Sequence, residues 1–184
     1  MPDGPTPGQR VTLRRWISSD LDAFADLNGD ANVMATIGPV MDRAESAAFM
    51  QRISRHFADH GFGLWCVEVS GEAIGFCGLM VPWFREGVEI GWRLRSAWWG
   101  HGYASEAARQ VLEYSFASSP NGLGLDEVIS FTAETNERSQ RVMKAIGMTH
   151  DNEGDFEHPG VPDSSPLRPH VLYRIAAGRY RSMA

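Results

Sequence analysis

The feature that most constrains this chain is a strand, a glycine-containing turn and a helix that follow one another directly. Residues Val88–Leu94 alternate apolar with polar or small side chains, which is typical of a strand with one buried face. The turn Trp98–Gly102 contains Gly-His-Gly, and the apolar stripe of Ala104–Phe116 predicts a helix after it. The glycines therefore lie where a strand has ended and a helix begins.

Glycines at such a position suit a phosphate or a pyrophosphate. Without side chains, Gly100 and Gly102 let the backbone approach a ligand, and the N–H groups of the helix N-terminus attract an anion. The alternative is a tight turn whose glycines serve only backbone geometry. The dinucleotide fingerprint of NAD enzymes does not fit, because the pattern here lacks the third glycine.

The rest of the chain predicts further strands and helices around this unit. Three neighbouring strands with short turns indicate antiparallel pairing, and the strand–helix–strand unit of residues 88–132 indicates a parallel pair. We therefore expect an α/β sandwich, a mixed sheet covered by helices. The other predicted strands are Arg10–Trp16, Leu64–Val69, Ala73–Val81, Glu127–Thr132 and His170–Ile175, and the other helices follow Ser19-Asp20, run from Asp42 to Gly61, and run from Asn136 to Gly147.

Length and composition indicate one domain and exclude several classes of protein. We expect a flexible tail at 1–8, a single domain at 9–176 and a C-terminal tail at 177–184, since no composition break marks a second domain. The net charge of −6 and the lack of a basic stripe argue against nucleic acid as a partner. No apolar run is long enough for a membrane helix, and no secretory signal begins the chain, so the cytoplasm is the default compartment.

Neither the histidines nor the cysteines predict a metal site. His150, His158 and His170 match no zinc spacing, so no metal is expected. Cys66 and Cys77 lie in apolar strands and are interpreted as small buried side chains, although neighbouring strands would allow them to pair.

Two sequence blocks resemble the Gcn5-related N-acetyltransferase (GNAT) superfamily, and most closely its RimJ/RimL-like branch. The first joins Gly91–Leu94 to Trp98–Ala107, and the second is Asn136–Met148, which is similar to that branch's Asn-x-x-Ser helix ending in Gly-Met or Gly-Phe. Arg10–Arg14 also resembles the branch's first strand, and Trp99 stands where the wider superfamily often has Gln or Arg. The resemblance covers about residues 9–176.

This resemblance implies a fold, a donor and a set of binding residues. The expected fold is a central mixed, mostly antiparallel sheet of six to seven strands with about four helices, in which a parallel pair splays apart at the cofactor cleft. The expected acetyl donor is acetyl-CoA, used as a cosubstrate. Its pantetheine arm would lie along the backbone of the Val88–Leu94 strand. The residues expected to bind it are Trp92, Leu94, Trp99, Gly100, His101, Gly102, Tyr103, Ala104, Asn136 and Ser139.

The resemblance also implies two catalytic candidates for direct attack of an amine in a ternary complex. Glu89 is the candidate general base, because it lies on the polar face of the central strand; an exposed strand glutamate and a water chain are the alternatives. Ser139 is the candidate proton donor to the thiolate of coenzyme A, and the alternative is a hydrogen bond within its own helix. The 136–147 helix contains no tyrosine that could act as the acid.

The acceptor and the oligomeric state stay open at this point. A protein N-terminus and a small-molecule amine both fit one fold, since fold does not fix substrate. The segments Trp83–Arg85 and Phe156–Pro159 are candidate borders of the acceptor site, the second within an expected surface loop at 150–166. A homodimer is compatible with the sequence. The alternative functions are a non-catalytic acyl-CoA-binding module and a nucleotide-dependent oxidoreductase.

Overall fold

The computed structural model describes residues 4–183 and contains one eight-stranded mixed sheet. Seven strands follow the order β1-β2-β3-β4-β5-β8-β6, and β7 pairs with β8 beside β6. All pairs are antiparallel except β4 and β5, which are parallel. The strands are β1 Thr12–Arg14, β2 Leu64–Val69, β3 Glu72–Met80, β4 Glu89–Leu94, β5 Glu127–Ala133, β6 Thr149–His150, β7 Phe156–Glu157 and β8 Pro169–Ala176.

Six α-helices connect or cover these strands. Asp42 begins α3 with a capping box formed with Glu45, and Gly61 ends it in the left-handed conformation (φ 78°), which glycine adopts without strain. The helices are α1 Leu21–Gly29, α2 Ala31–Met34, α3 Arg43–His60, α4 Tyr103–Phe116, α5 Glu137–Ala145 and α6 Ala177–Arg181. No helix among residues 4–183 is long and apolar enough to cross a membrane.

The sheet has two differently covered faces. On the front face, defined by Phe76 and its strand partner Arg93, Phe24 of α1 and Phe49 of α3 contact the ring of Phe76. The back face carries the alternate residues and is covered by α4, whose Tyr114 contacts Trp65 edge-on. Burial of apolar side chains on both faces is the main favourable contribution to folding.

The predicted α/β class and the parallel pair are confirmed. Among the described residues, the sheet has more strands and the fold has more helices than the sequence predicted. Eight strands replace six to seven, and six helices replace about four, because elements of two to five residues carry too little periodicity to be recognised. The expected loop at 150–166 contains the end of β6, a 3-10 turn and β7. Both cysteines are buried and unpaired.

The two expected tails also differ from a loose chain where the structure describes them. Residues 177–181 form α6, because Ala177 is buried and the ring of Tyr180 packs against Phe116 at a centroid distance of 5.2 Å. The first three residues lie outside the described range. Within the expected N-terminal tail, Pro5 is buried.

Candidate active site

The parallel strands β4 and β5 meet at one end only. Their pairing has the single register position Glu89 with Ile129, where the Ile129 N–H donates to the Val88 carbonyl at 3.0 Å. The next contact uses a side chain, since the Ser130 hydroxyl donates to the Ile90 carbonyl at 2.8 Å. A side chain inserted between two strands holds them apart, so the gap widens from this point.

Beyond Ile90 the backbone of β4 faces the gap. The Arg95 N–H donates to the Ile74 carbonyl of β3 at 2.8 Å, and alternate residues of a strand direct their N–H groups to opposite sides. Trp92 and Leu94 therefore direct theirs toward the gap. The Leu94 carbonyl already accepts the indole N–H of Trp99 at 2.9 Å. The free polar groups of this strand can bind an extended ligand as a neighbouring strand would.

The glycine turn follows at the open end of the gap. Gly100 and Gly102 both have φ of 81°, a left-handed conformation that favours glycine. The first hydrogen bond of α4 runs from the Glu106 N–H to the Gly102 carbonyl at 3.0 Å. The N–H groups of Tyr103–Ser105 consequently have no partner within the helix, and this N-terminus is suited to an anion.

Helix α5 forms the opposite wall. Its cap residue Asn136 accepts the Ser139 N–H at 3.2 Å and donates to the Thr132 hydroxyl at 2.9 Å, which fixes the helix to the end of β5. The guanidinium of Arg138 lies 4.0 Å from the ring centroid of Trp99. The two walls therefore meet across the mouth of the gap.

These elements enclose a cavity of about 750 Å³. His101 is exposed and does not line it; the carbonyl of His101 accepts a hydrogen bond from Arg10 Nη1 at 3.1 Å. The other predicted cofactor-binding residues do line it, and they are Trp92, Leu94, Trp99, Gly100, Gly102, Tyr103, Ala104, Asn136 and Ser139.

The candidate base Glu89 lies at the closed end of the gap, on the front face and outside the cavity lining. Desolvation raises the pKa of Glu89 to about 8, while the positive charge of Arg85 acts in the opposite direction. An atom at the Cβ position of Gly91 would lie 3.8 Å from Glu89 Oε1 and meet no other described group within 4 Å beyond its chain neighbours. The absent side chain leaves room beside the carboxyl group.

An aromatic cluster flanks Glu89 on the β5 side. Phe84, in the turn between β3 and β4, has its ring centroid 5.5 Å from Phe131 and 4.7 Å from His158. Phe156 and His170 contact the same rings. Burial lowers the pKa of both His158 and His170 and favours their neutral forms. The two segments considered as borders of the acceptor site thus come together.

The turn is also fixed from behind by an ion pair. Glu106, in the first turn of α4, accepts the backbone N–H groups of Arg10 and Val11 at 2.8 and 3.2 Å, and the Arg10 Nε at 2.8 Å. Arg10 in turn reaches the His101 carbonyl. The chain before β1 therefore holds both the turn and the start of α4.

Several residues of the cavity have no role predicted from the sequence. Arg93 was placed on the polar face of its strand without a function, and Arg138 lies inside the recognised Asn-x-x-Ser helix. Asn32 and Val33 of α2, with residues 35–37 after it, line the cavity from the front. A four-residue helix has no readable periodicity, so only the polar position of Arg93 carried a usable signal.

Comparison with known proteins identifies the family. Residues 10–149 match the model of the acetyltransferase (GNAT) domain. The chain belongs to the GNAT acetyltransferase family. This GNAT protein is accordingly an acyltransferase, and acetyl-CoA is its acetyl donor. The partner-free N–H groups of β4 and of the α4 N-terminus fit an amide-containing arm and a pyrophosphate.

Individual relatives agree with this assignment. The GNAT protein is 32% identical to the uncharacterized protein YkkB of Bacillus subtilis over 76% of this chain and 81% of the relative. It is 37% identical to the FsC-acetyl coenzyme A-N(2)-transacetylase of Aspergillus fumigatus over 56% of this chain, and spans about half of that protein (47%). The crystal structure of a GNAT-family acetyltransferase from Bacillus anthracis superposes with a TM-score of 0.75 at 26% identity, covering 95% of this chain and 98% of the other.

Proposed function

We propose that this GNAT protein transfers the acetyl group of acetyl-CoA directly to a primary amine in a ternary complex. The observation that carries the proposal is the position of Glu89. Its carboxyl group, with a pKa of about 8, lies beside the open space over Gly91 at the point where β4 and β5 begin to separate. A base must be near this point, because a protonated amine has no lone pair with which to attack.

Glu89 takes the proton from the amine, directly or through one water molecule. A pKa of about 8 suits this step, since general bases work best when their pKa lies near the operating pH. Acetyl-CoA supplies an acetyl group that is activated as a thioester. The C–N bond forms as the C–S bond breaks, and the thiolate that leaves takes up a proton. The Trp92 N–H, directed toward the gap, is the proposed backbone donor for the negative charge that develops on the carbonyl oxygen.

Ser139 is the proposed donor to the leaving thiolate. It lines the cavity, and its backbone N–H is held by Asn136 at 3.2 Å. Among residues 4–183 its hydroxyl has no hydrogen-bond partner, so a bond within its own helix does not occupy it. The hydroxyl is therefore available to the contents of the cleft.

The finer assignments belong to the same proposal. Membership of the RimJ/RimL-like branch rests on the sequence of Asn136–Met148 and on Trp99 before the glycine turn. The domain is proposed to comprise residues 9–176, and the acceptor amine is a protein N-terminus or a small molecule. The transacetylase name of the Aspergillus relative supports transfer to nitrogen.

A turnover assay separates this enzyme from a binding module. The chain is incubated with acetyl-CoA and a panel of primary amines, and thiol release is measured together with the mass of the acetylated amine. Amine-dependent thiol release with stoichiometric product supports the proposal. Stabilisation by acetyl-CoA without product from any amine would instead identify a non-catalytic acyl-CoA-binding module.

A further inference from the structure

Arg93 is a half-buried cation in the front part of the cavity, and the reaction proposed above does not use it. It lines the cavity, and its guanidinium lies 5.2 Å from the ring centroid of Phe76 and 5.9 Å from that of Phe49. Nη1 donates to Asn28 Oδ1 at 2.5 Å. The buried Nε has no hydrogen-bond partner among the described residues. An orphaned donor of this kind is rare in folded proteins.

No anion within the described chain neutralises this charge. Arg93 forms none of the ion pairs among residues 4–183, in contrast to Arg95, which pairs with Glu72 at 2.8 Å. Burial alone lowers the pKa of Arg93 to about 10, with no opposing contribution from a carboxylate. A desolvated, unpaired charge destabilises the fold, so such a residue in a cavity is a candidate for binding an anionic ligand.

The position of Arg93 relative to Glu89 indicates which ligand this is. Glu89, Gly91 and Arg93 are alternate residues of one strand and face the same side of the sheet, and each step of two residues spans roughly 6.6 Å. Gly91, between them, leaves the space above the strand open. The proposed base and the unpaired cation therefore lie on one face of the sheet, with the open space over Gly91 between them, and residues of α2 line the cavity on the Arg93 side.

We infer that the acceptor carries a carboxylate close to its primary amine, with the amine directed to Glu89 and the carboxylate bound by Arg93. This inference rests on the proposed function. The phosphates of the donor are assigned to the N-terminus of α4, so they do not account for a cation on the front face. Arginine is well suited to the role, because its planar fork matches a carboxylate and binds through two hydrogen bonds.

Two sources of this chemistry exist, and the experiment includes both. In the first arm, glycine, leucine and phenylalanine are each compared with their carboxamides. In the second arm, peptides beginning Ser-Asp are compared with peptides beginning Ser-Asn. The value of kcat/KM is measured for each amine at saturating acetyl-CoA. The assay is run below the pKa of both amines, where the carboxamide, with its lower amine pKa, has the larger fraction of free amine. A preference for the acid then cannot come from the fraction of free amine.

The expected result is a roughly tenfold or larger preference for the acid in at least one arm. The arm that shows it identifies the source as a free amino acid or an acidic peptide. In Arg93→Met the preference falls to near one, while acetyl-CoA still raises the unfolding temperature as in the wild type. Arg93→Lys keeps the charge but loses the fork, and retains a smaller preference. The control Arg95→Met, which removes a paired arginine two residues away, leaves the ratio unchanged.

The outcomes distinguish this inference from the proposed function. Turnover of amines without a preference for the acid, or a preference that survives in Arg93→Met, overturns the inference and leaves the acetyltransferase intact. Binding of acetyl-CoA without turnover of any amine overturns both.

Discussion

The two halves of the site are built in different ways. The proposed donor half consists of the backbone of β4, the glycine turn and the N-terminus of α4, and it presents mainly N–H groups. The proposed acceptor half consists of side chains, with Glu89 and Arg93 on β4, the residues of α2, and the aromatic cluster around Phe84. The first half is made by local chain geometry, and the second by contacts between distant segments.

This difference separates what the family shares from what an individual member binds. Backbone groups can bind the same donor while the surrounding side chains vary, because the site requires only glycines and the N-terminus of a helix. Selection of an acceptor needs charges and shapes, which vary from position to position without changing the fold. We therefore expect substitutions in the two halves to have separable effects on donor binding and on turnover.

Glu89→Gln gives the largest expected loss of turnover. Removal of the base lowers kcat/KM for the amine by about 10²–10⁴-fold, while stabilisation by acetyl-CoA is unchanged. A base must be deprotonated to act, so the wild-type kcat/KM rises with pH through about 8, the pKa of Glu89. Steady-state kinetics between pH 6 and pH 10, roughly two units on each side of that pKa, measure this rise of kcat/KM in both proteins.

The exposed Glu86, three residues earlier in the chain, provides the control. Glu86→Gln retains the wild-type rate and pH profile. If Glu89→Gln kept full activity, or if its pH profile were that of the wild type, Glu89 would not be the base.

Protonation of the same carboxyl group also has an expected effect on stability. Its folded-state pKa of about 8 lies above the unfolded value, so the folded state holds the extra proton between these values. Glu89 therefore destabilises the fold progressively as pH rises from about 4.5 to 8. Glu89→Gln removes this loss of stability, so the stability of the variant relative to the wild type increases as the pH rises. Urea unfolding at several pH values measures the difference, and a constant difference would contradict the raised pKa.

Ser139→Ala has a smaller expected effect on turnover. Loss of one hydrogen bond to the leaving thiolate lowers kcat by about tenfold, and the KM for acetyl-CoA changes little. Ser54→Ala, at an exposed helix position, is the matched control. The informative measurement is kcat at saturating concentrations of both substrates. A rise in KM with unchanged kcat would assign Ser139 to binding of the donor alone.

Glu106→Gln has the smallest expected effect and acts on the support of the donor half. The change weakens the ion pair with Arg10 and the attachment of the turn, with a loss of about 1 kcal/mol at pH 7 and a rise of a few-fold in the KM for acetyl-CoA. The pKa of Glu106 is lowered in the fold, so its stabilisation is present above the unfolded pKa and is lost as pH falls through the folded one. Denaturant unfolding at pH 7 and at low pH tests this, and an equal loss at both would exclude a charge effect.

The sequence predicted the elements around the glycine turn well because they are contiguous. The strand, the glycines and the helix of residues 88–116 lie next to one another in the chain, and Asn136 has a recognisable capping role. The short helices α2 and α6 were missed because their order depends on tertiary contacts, such as that of Tyr180 with Phe116.

The residues of the proposed acceptor half were predicted only as separate segments, because their arrangement depends on contacts between distant parts of the chain. Phe84 and His158 stand 74 positions apart, and nothing in the local pattern indicates that their rings meet. The alternation of β4 did place Arg93 on the polar face. Whether that arginine had a partner depended on Asn28, a residue 65 positions away.

The most direct test of the account is thermal unfolding with and without saturating acetyl-CoA for the wild type, Gly102→Val and Gly61→Val. The two glycines have nearly equal backbone angles, with φ of 81° and 78°, so both variants pay a similar strain of about 1–2 kcal/mol. Only Gly102 lies in the turn. At a hundredfold excess over its Kd the donor stabilises the fold by about 2.7 kcal/mol, a rise of roughly 5–10 °C.

We expect this rise in the wild type and in Gly61→Val, and we expect its loss in Gly102→Val. An equal rise in all three proteins would contradict the placement of the donor at the glycine turn, and no rise in the wild type would contradict the cleft as its binding site.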